Sequence, residues 1–247
     1  MENDKKIVKS FKVNDSLSSA IWEEEEGTFK LNPEVRDALL KIVEDYLDFI
    51  DMDLDIEDIT LTGSLSNFNW SEFSDVDLHI IVDFTNKPTL FKKYLDSRRM
   101  IWNSLREVTV KDFDVEIYVQ DGNEPHFASG VYSVLYNNWL VEPKKEEDIS
   151  IDTQKILDKA KHWMDKIDNI EILGNKEEPE VVLEMIDRLK NKIKKYRSSG
   201  LKEGGEYAYE NLTFKFLRRN GYLKKINDVK NELIDKTLTV EGKVSES

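Results

Sequence analysis

The sequence predicts an α+β protein: a mixed β-sheet with flanking helices, followed by a C-terminal helical domain. Three observations point there. Between Ile59 and Val141 short apolar runs with strand alternation are separated by polar turns. A helical apolar pattern precedes that region, and another lies within it. From Thr153 onward the pattern is helical throughout.

Residues 1–31 mix polar clusters with the acidic run Glu23 to Glu26 and show no clear period, so they read as an N-terminal arm. Phe11, Ile21, Trp22 and Phe29 are its residues able to dock. Asn32-Pro33-Glu34 is a helix start: an N-cap, a proline at the first helical position and an acid in the first turn. Val35, Leu39, Ile42, Val43, Tyr46, Leu47 and Ile50 then recur at helical spacing, which predicts a helix to about Ile50 with one buried face. The acidic stretch Asp51 to Asp58 lacks the glycine and final glutamate of a calcium loop, so it reads as solvated.

Ile59 to Thr62 is the first strand of the sheet and ends in Gly63-Ser64. A ten-residue polar bridge carrying Phe68, Trp70 and Phe73 leads to a central strand, Asp75 to Phe84. Pro88 starts a helix whose expected buried positions are Leu90, Phe91, Tyr94, Leu95, Met100, Ile101, Trp102 and Leu105. Val108 to Val119 supplies one or two strands, and Val131 to Tyr136 another. The charged stretch from Lys144 to Ser150 marks a boundary, giving a sheet domain over 32–147 and a helical domain over 148–247. Four helices are expected there, divided at Gly200, Gly204-Gly205 and Gly221.

Composition narrows the chemistry. With 247 residues, 39% hydrophobic and 35% charged, the chain can bury a substantial core. The absence of cysteine excludes disulfides, thiolate-bound zinc and a thiol nucleophile, and three scattered histidines (His79, His126, His162) make a zinc site unexpected. No eighteen-residue apolar run or leader pattern is visible, so the expectation is a cytoplasmic protein with no membrane partner. A net charge of −14 argues against broad nucleic-acid affinity, yet Arg188 to Lys225 holds 12 basic residues against 3 acidic ones.

The chemistry gathers on the central strands. Side chains alternate in a strand, so Asp75 and Asp77 share one face while Val76, Leu78, Ile80 and Val82 point into a core. Two adjacent carboxylates repel unless a cation lies between them, and Mg²⁺ (or Mn²⁺) is the natural occupant because it combines carboxylates with substrate phosphates. The next strand offers Asp114 and Glu116; Glu116 is preferred because Val115 and Ile117 bracket it inside the strand. A third carboxylate there would complete a two-metal site. Gly63 lets backbone approach phosphate, and a helix starting just after it would aim free N–H groups at that phosphate. His79 shares the face but lies further along. On a predicted helix from Glu206, the residues Tyr207, Asn211, Lys215 and Arg218 form one stripe; Lys215, Arg218 and Arg219 are candidates to answer phosphate charge.

Gly63-Ser64, ten residues, Asp75-x-Asp77 and a later apolar-Glu116-apolar resemble the signature of the DNA-polymerase-beta-type nucleotidyltransferase superfamily, over about residues 57 to 120. The resemblance implies a nucleotidyltransferase-like sheet, with Gly63 and Ser64 holding the nucleoside triphosphate. It implies two Mg²⁺ ions on Asp75, Asp77 and Glu116, the last helping to activate the attacking hydroxyl. It implies transfer of a nucleotidyl group from an NTP such as ATP to an acceptor hydroxyl on a small molecule, a protein or an RNA 3′ end, with pyrophosphate released. The alternative is a catalytically inactive nucleotide- or RNA-binding module on the same fold.

Overall fold

The computed structural model describes residues 2–124, 128–147 and 149–240; His126 lies outside them. The chain forms two compact units, Lys12–Asp148 and Met1–Phe11 with Ile149–Ser247.

The first unit is the α+β sheet unit. It opens with a hairpin, β1 (Trp22–Glu25) and β2 (Thr28–Leu31), inside the stretch that reads as an arm. That stretch is built into the fold because Leu17, Ile21, Trp22 and Leu31 are buried in the main core. Helix α2 (Pro33–Ile50) starts as its residues dictate: the Asn32 side chain accepts the backbone N–H of Glu34, and Pro33 needs no hydrogen-bond acceptor. A six-stranded sheet follows, in the order β5-β6-β4-β3-β7-β8. Its strands are β3 (Ile56–Thr62), β4 (Val76–Val82), β5 (Thr109–Val110), β6 (Phe113–Asp121), β7 (Val131–Ser133) and β8 (Asn138–Val141).

The pair β4–β6 is parallel and the others are antiparallel. A parallel neighbour needs a crossover, and α3 (Thr89–Leu105) provides it. Leu61, Leu78, Ile80, Val115 and Ile117 form one apolar face that shares a core with α2 and α3. Tyr46 and Trp102 meet edge to face there, ring centroids 6.2 Å apart, and the Trp102 indole donates to Asp45 at 2.9 Å. Burial pushes the Tyr46 phenol up to about 12.

Helix α3 departs from expectation. Leu95 and Trp102 are buried, whereas Leu90, Tyr94, Met100, Ile101 and Leu105 are exposed. The helix lies along the edge of β6 and inserts a narrow face. Asn103 replaces the missing neighbour strand there: its amide donates to the Ile117 carbonyl and accepts the Ile117 N–H.

The second unit contains α1 (Glu2–Lys9), α4 (Thr153–Gly174), α5 (Pro179–Gly204), α6 (Tyr209–Arg219) and α7 (Tyr222–Leu238). Asp152 caps α4 by accepting the N–H of Lys155. The α5 helix runs through Gly200, where a break was expected. A Cβ at Gly200 would lie 2.4 Å from the Glu210 Cβ, so this glycine admits close packing of α6. Ile156, Trp163, Ile186, Ile193, Phe216 and Leu233 are buried in this unit, and α1 adds Ile7 and Val8. No helix among the described residues is long and apolar enough to cross a membrane.

Candidate active site

The site forms on the polar face of β3, β4 and β6. Register places Thr62 opposite Asp77 and Asp77 opposite Glu116, one polar row across three strands. Neighbouring strands lie about 4.8 Å apart, so the two acidic side chains leave the sheet side by side. Asp75 lies on the loop just before β4, two residues from Asp77. Asp114 is exposed and pairs with Thr109 of β5, whereas Glu116 is half-buried beside Asp77.

Gly63 closes the row. Its φ of 76° and ψ of −159° belong to glycine, and a Cβ there would lie 1.9 Å from Asp77 Oδ2. The backbone of the turn therefore packs directly on the Asp77 carboxylate. Ser64–Ser66 forms a single 3-10 turn in place of the expected helix. Leu65 is fully buried, and the Trp22 indole donates to its carbonyl at 2.7 Å, so the core anchors the turn. The Ser64 hydroxyl donates to Ser74 Oγ at 2.7 Å, and Ser74 Oγ also accepts the Ser71 N–H at 3.0 Å. This chain of serines ties the Gly-Ser turn to the loop that carries Asp75.

The next row is aromatic. The Tyr118 hydroxyl donates to the Glu116 carboxylate. Its ring stacks on His79 with centroids 4.8 Å apart, and the Arg99 guanidinium lies 5.1 Å from the ring centroid. His79 Nδ1 is 2.8 Å from Gln120 Oε1. Burial, reinforced by the hydrogen bond and by the charges of Glu116 and Asp77, raises the Tyr118 phenol well above its ordinary value. His79 is thus held in place between Tyr118 and Gln120.

The donors fit a hard divalent cation in kind, since carboxylate oxygens on one sheet face are what such an ion takes. They do not converge as a set: among the described residues no three Asp, Glu or His side chains come together as a metal-holding group. Glu116 is engaged with Tyr118 instead.

The basic candidates lie in the helical unit. Lys215 Nζ is 2.8 Å from Glu206 and its side chain is only 15% exposed. Arg219 donates to Ser10 Oγ at 2.6 Å and its guanidinium lies 5.1 Å from the Phe11 ring centroid. Arg218 is exposed. The expected stripe is split: Arg218 is at the surface, but Asn211 is fully buried, accepts from Arg197 and donates to Glu206, and Tyr207 precedes α6 on a 3-10 turn.

Trp22, Ser74 and Tyr118 were not legible as site residues. Strand alternation puts Tyr118 on the face of Glu116 but does not give its hydrogen bond there; the other two act through contacts distant in sequence.

No family model matches the chain, and no curated protein does. A solved structure of a STING-associated CdnE c-di-GMP synthase from Capnocytophaga granulosa is similar at 16% identity over 84% of both chains, with a TM-score of 0.26. A likeness that loose carries no argument, so the functional reading rests on the site's own geometry.

Proposed function

We propose that the protein is a Mg²⁺-dependent nucleotidyltransferase that moves a nucleotidyl group from an NTP to an acceptor hydroxyl. One observation carries this reading: Asp77 faces Glu116 across two parallel strands while the Gly63 backbone rests on the Asp77 carboxylate. Few structural needs explain acidic side chains gathered on one face beside a glycine-only turn.

Asp75 and Asp77 would hold the cation, with Glu116 as the third carboxylate. Bound there, Mg²⁺ supplies charge neutralisation for the phosphates and for both the attacking and the leaving oxygen. The chain's own residues do the positioning. Gly63 gives phosphate access to the backbone, and Ser64, held by Ser74, keeps the turn beside Asp75. Glu116 would help activate the acceptor hydroxyl once released from the Tyr118 hydroxyl that holds it here. Lys215, Arg218 and Arg219 drop to secondary candidates, because Lys215 and Arg219 already have partners in the helical unit.

The second reading, an inactive nucleotide-binding module, is favoured by the engagement of Glu116 with Tyr118 and the absence of a converged carboxylate group among the described residues.

The test is thermal unfolding with ATP, GTP, CTP and UTP, each with and without Mg²⁺, beside a pyrophosphate-release assay. Ligand at a hundredfold excess over Kd stabilises by about 2.7 kcal/mol. Asp77→Asn is expected to abolish release without lowering Tm, because it removes like-charge repulsion. Full turnover in that variant under saturating Mg²⁺ refutes the mechanism. A Mg²⁺-dependent shift with no release by the unmutated protein selects the inactive module.

A further inference from the structure

The helical unit carries a charge pattern that nucleotidyl transfer does not use. It holds 23 basic residues against 20 acidic ones, net +3, whereas the sheet unit holds 13 against 30, net −17. Five of these basic residues, Lys155, Lys159, Lys166, Arg188 and Lys192, line two depressions on α4 and α5. Along α4, Lys155, Lys159, His162 and Lys166 recur at spacings of four, three and four, a single stripe. Across the groove, α5 presents Arg188 and Lys192, one turn apart.

Two depressions lie on this line. The first, about 430 Å³, lies between Lys155, Lys159 and His162 on α4 and Tyr209 on α6. The second, about 300 Å³, has an apolar floor of Ile170, Leu173, Met185 and Leu189 under a rim of Lys166, Arg188 and Lys192.

How the cations are held matters. Lys155 Nζ lies 4.4 Å from the Tyr209 centroid, Lys159 5.2 Å from both Trp163 and Tyr196, and Lys166 5.0 Å from Trp163. A ring face fixes an ammonium group without neutralising it, as a carboxylate would. Lys155, Lys159, Lys166 and Lys192 have no carboxylate partner within salt-bridge distance among the described residues. Arg188 pairs with Glu184, but both are about three-quarters exposed, so that pair exchanges readily with an incoming anion. Asp152 and Asp158 line the first depression and set its acidic edge.

We propose that this face of α4 and α5 binds single-stranded nucleic acid. Uncompensated cations in a row suit a phosphate backbone, and an apolar floor beneath a basic rim suits the face of an unpaired base. From Lys155 to Lys166 the helix rises about 16 Å at 1.5 Å per residue. That length spans about five phosphates at the ~3.4 Å spacing of a stacked strand. The surface stands independently of nucleotidyl transfer.

The experiment is fluorescence anisotropy of the full-length protein with a labelled oligouridylate 12-mer, titrated at salt concentrations from 50 to 200 mM. With four or five phosphate contacts, log K is expected to fall against log salt with a slope of about −3. Lys159→Glu with Lys192→Glu should weaken binding more than tenfold and flatten the slope by about 1.4. Lys161→Glu with Lys236→Glu, which lines neither depression, should change binding less than twofold at an unchanged Tm. Asp75→Asn with Asp77→Asn should leave binding intact, which keeps this surface separate from the carboxylate site. No binding at 50 mM salt overturns the proposal, as does equal loss in the control pair. Equal or tighter binding of a duplex of the same length overturns the assignment to single strands.

Discussion

At the scale of single residues, Gly63 has the sharpest consequence. Its backbone geometry belongs to glycine, and its missing side chain is where the Asp77 carboxylate lies. Gly63→Ala is expected to cost about 2–3 kcal/mol in urea unfolding, from backbone strain plus the displaced carboxylate. It should also lose Mg²⁺-dependent nucleotide stabilisation, which a purely structural glycine would leave in place. Tyr118 makes the complementary case, because its hydroxyl spends its hydrogen bond on Glu116. Tyr118→Phe is expected to cost about 1 kcal/mol of stability. If Glu116 is the third carboxylate, it should also lower the Mg²⁺ concentration needed for nucleotide binding several-fold, read by titration at fixed NTP. An unchanged Mg²⁺ requirement would remove Glu116 from the metal set.

At the scale of elements, α6 shows how a helix can match its sequence pattern and still face another way. Its basic residues look like a ligand face, yet Lys215 turns inward to Glu206. Burial alone would raise the Glu206 carboxyl, but the Lys215 charge and hydrogen bond hold it below its ordinary 4.5. A carboxyl depressed in the folded state contributes stability above its unfolded value, and that contribution disappears as pH falls through the folded one. Stability should therefore drop as pH goes below about 4.5. Glu206→Gln should flatten that part of the profile, measured by Tm against pH. Lys215→Met should cost about 2 kcal/mol, between an exposed and a buried pair, because Glu206 loses the ammonium charge that most offsets its burial. Helix α3 makes the related point: eight of its apolar residues looked buried, but the edge of β6 accepts only a narrow face of it.

At the scale of the whole molecule, two units with separate buried cores imply separable folding. The main core is drawn wholly from residues between Leu17 and Trp139. A fragment of residues 12–148 is expected to unfold in one cooperative thermal transition by circular dichroism. The helical unit needs its N-terminal piece: α1 buries Ile7 and Val8, and Ser10 receives Arg219. Residues 149–247 alone should melt lower than the same segment supplied with 1–11. A non-cooperative transition for 12–148 would contradict the division.

The sequence by itself determined the parts that follow local rules. The start of α2 was legible because Asn32 and Pro33 satisfy a helix end with their own side chains. The acidic face of β4 and β6 was legible because alternation at a period of two leaves no choice once Val76, Leu78, Val115 and Ile117 go inward. Only tertiary structure decided what depends on partners far along the chain. It put Trp22 under Leu65, packed Gly63 on Asp77, turned Lys215 to Glu206 and joined Tyr118 to Glu116. The physical reason is the same each time. Propensity and alternation set which side of an element a residue occupies, while the contact it makes there is set by whichever surface packs against it.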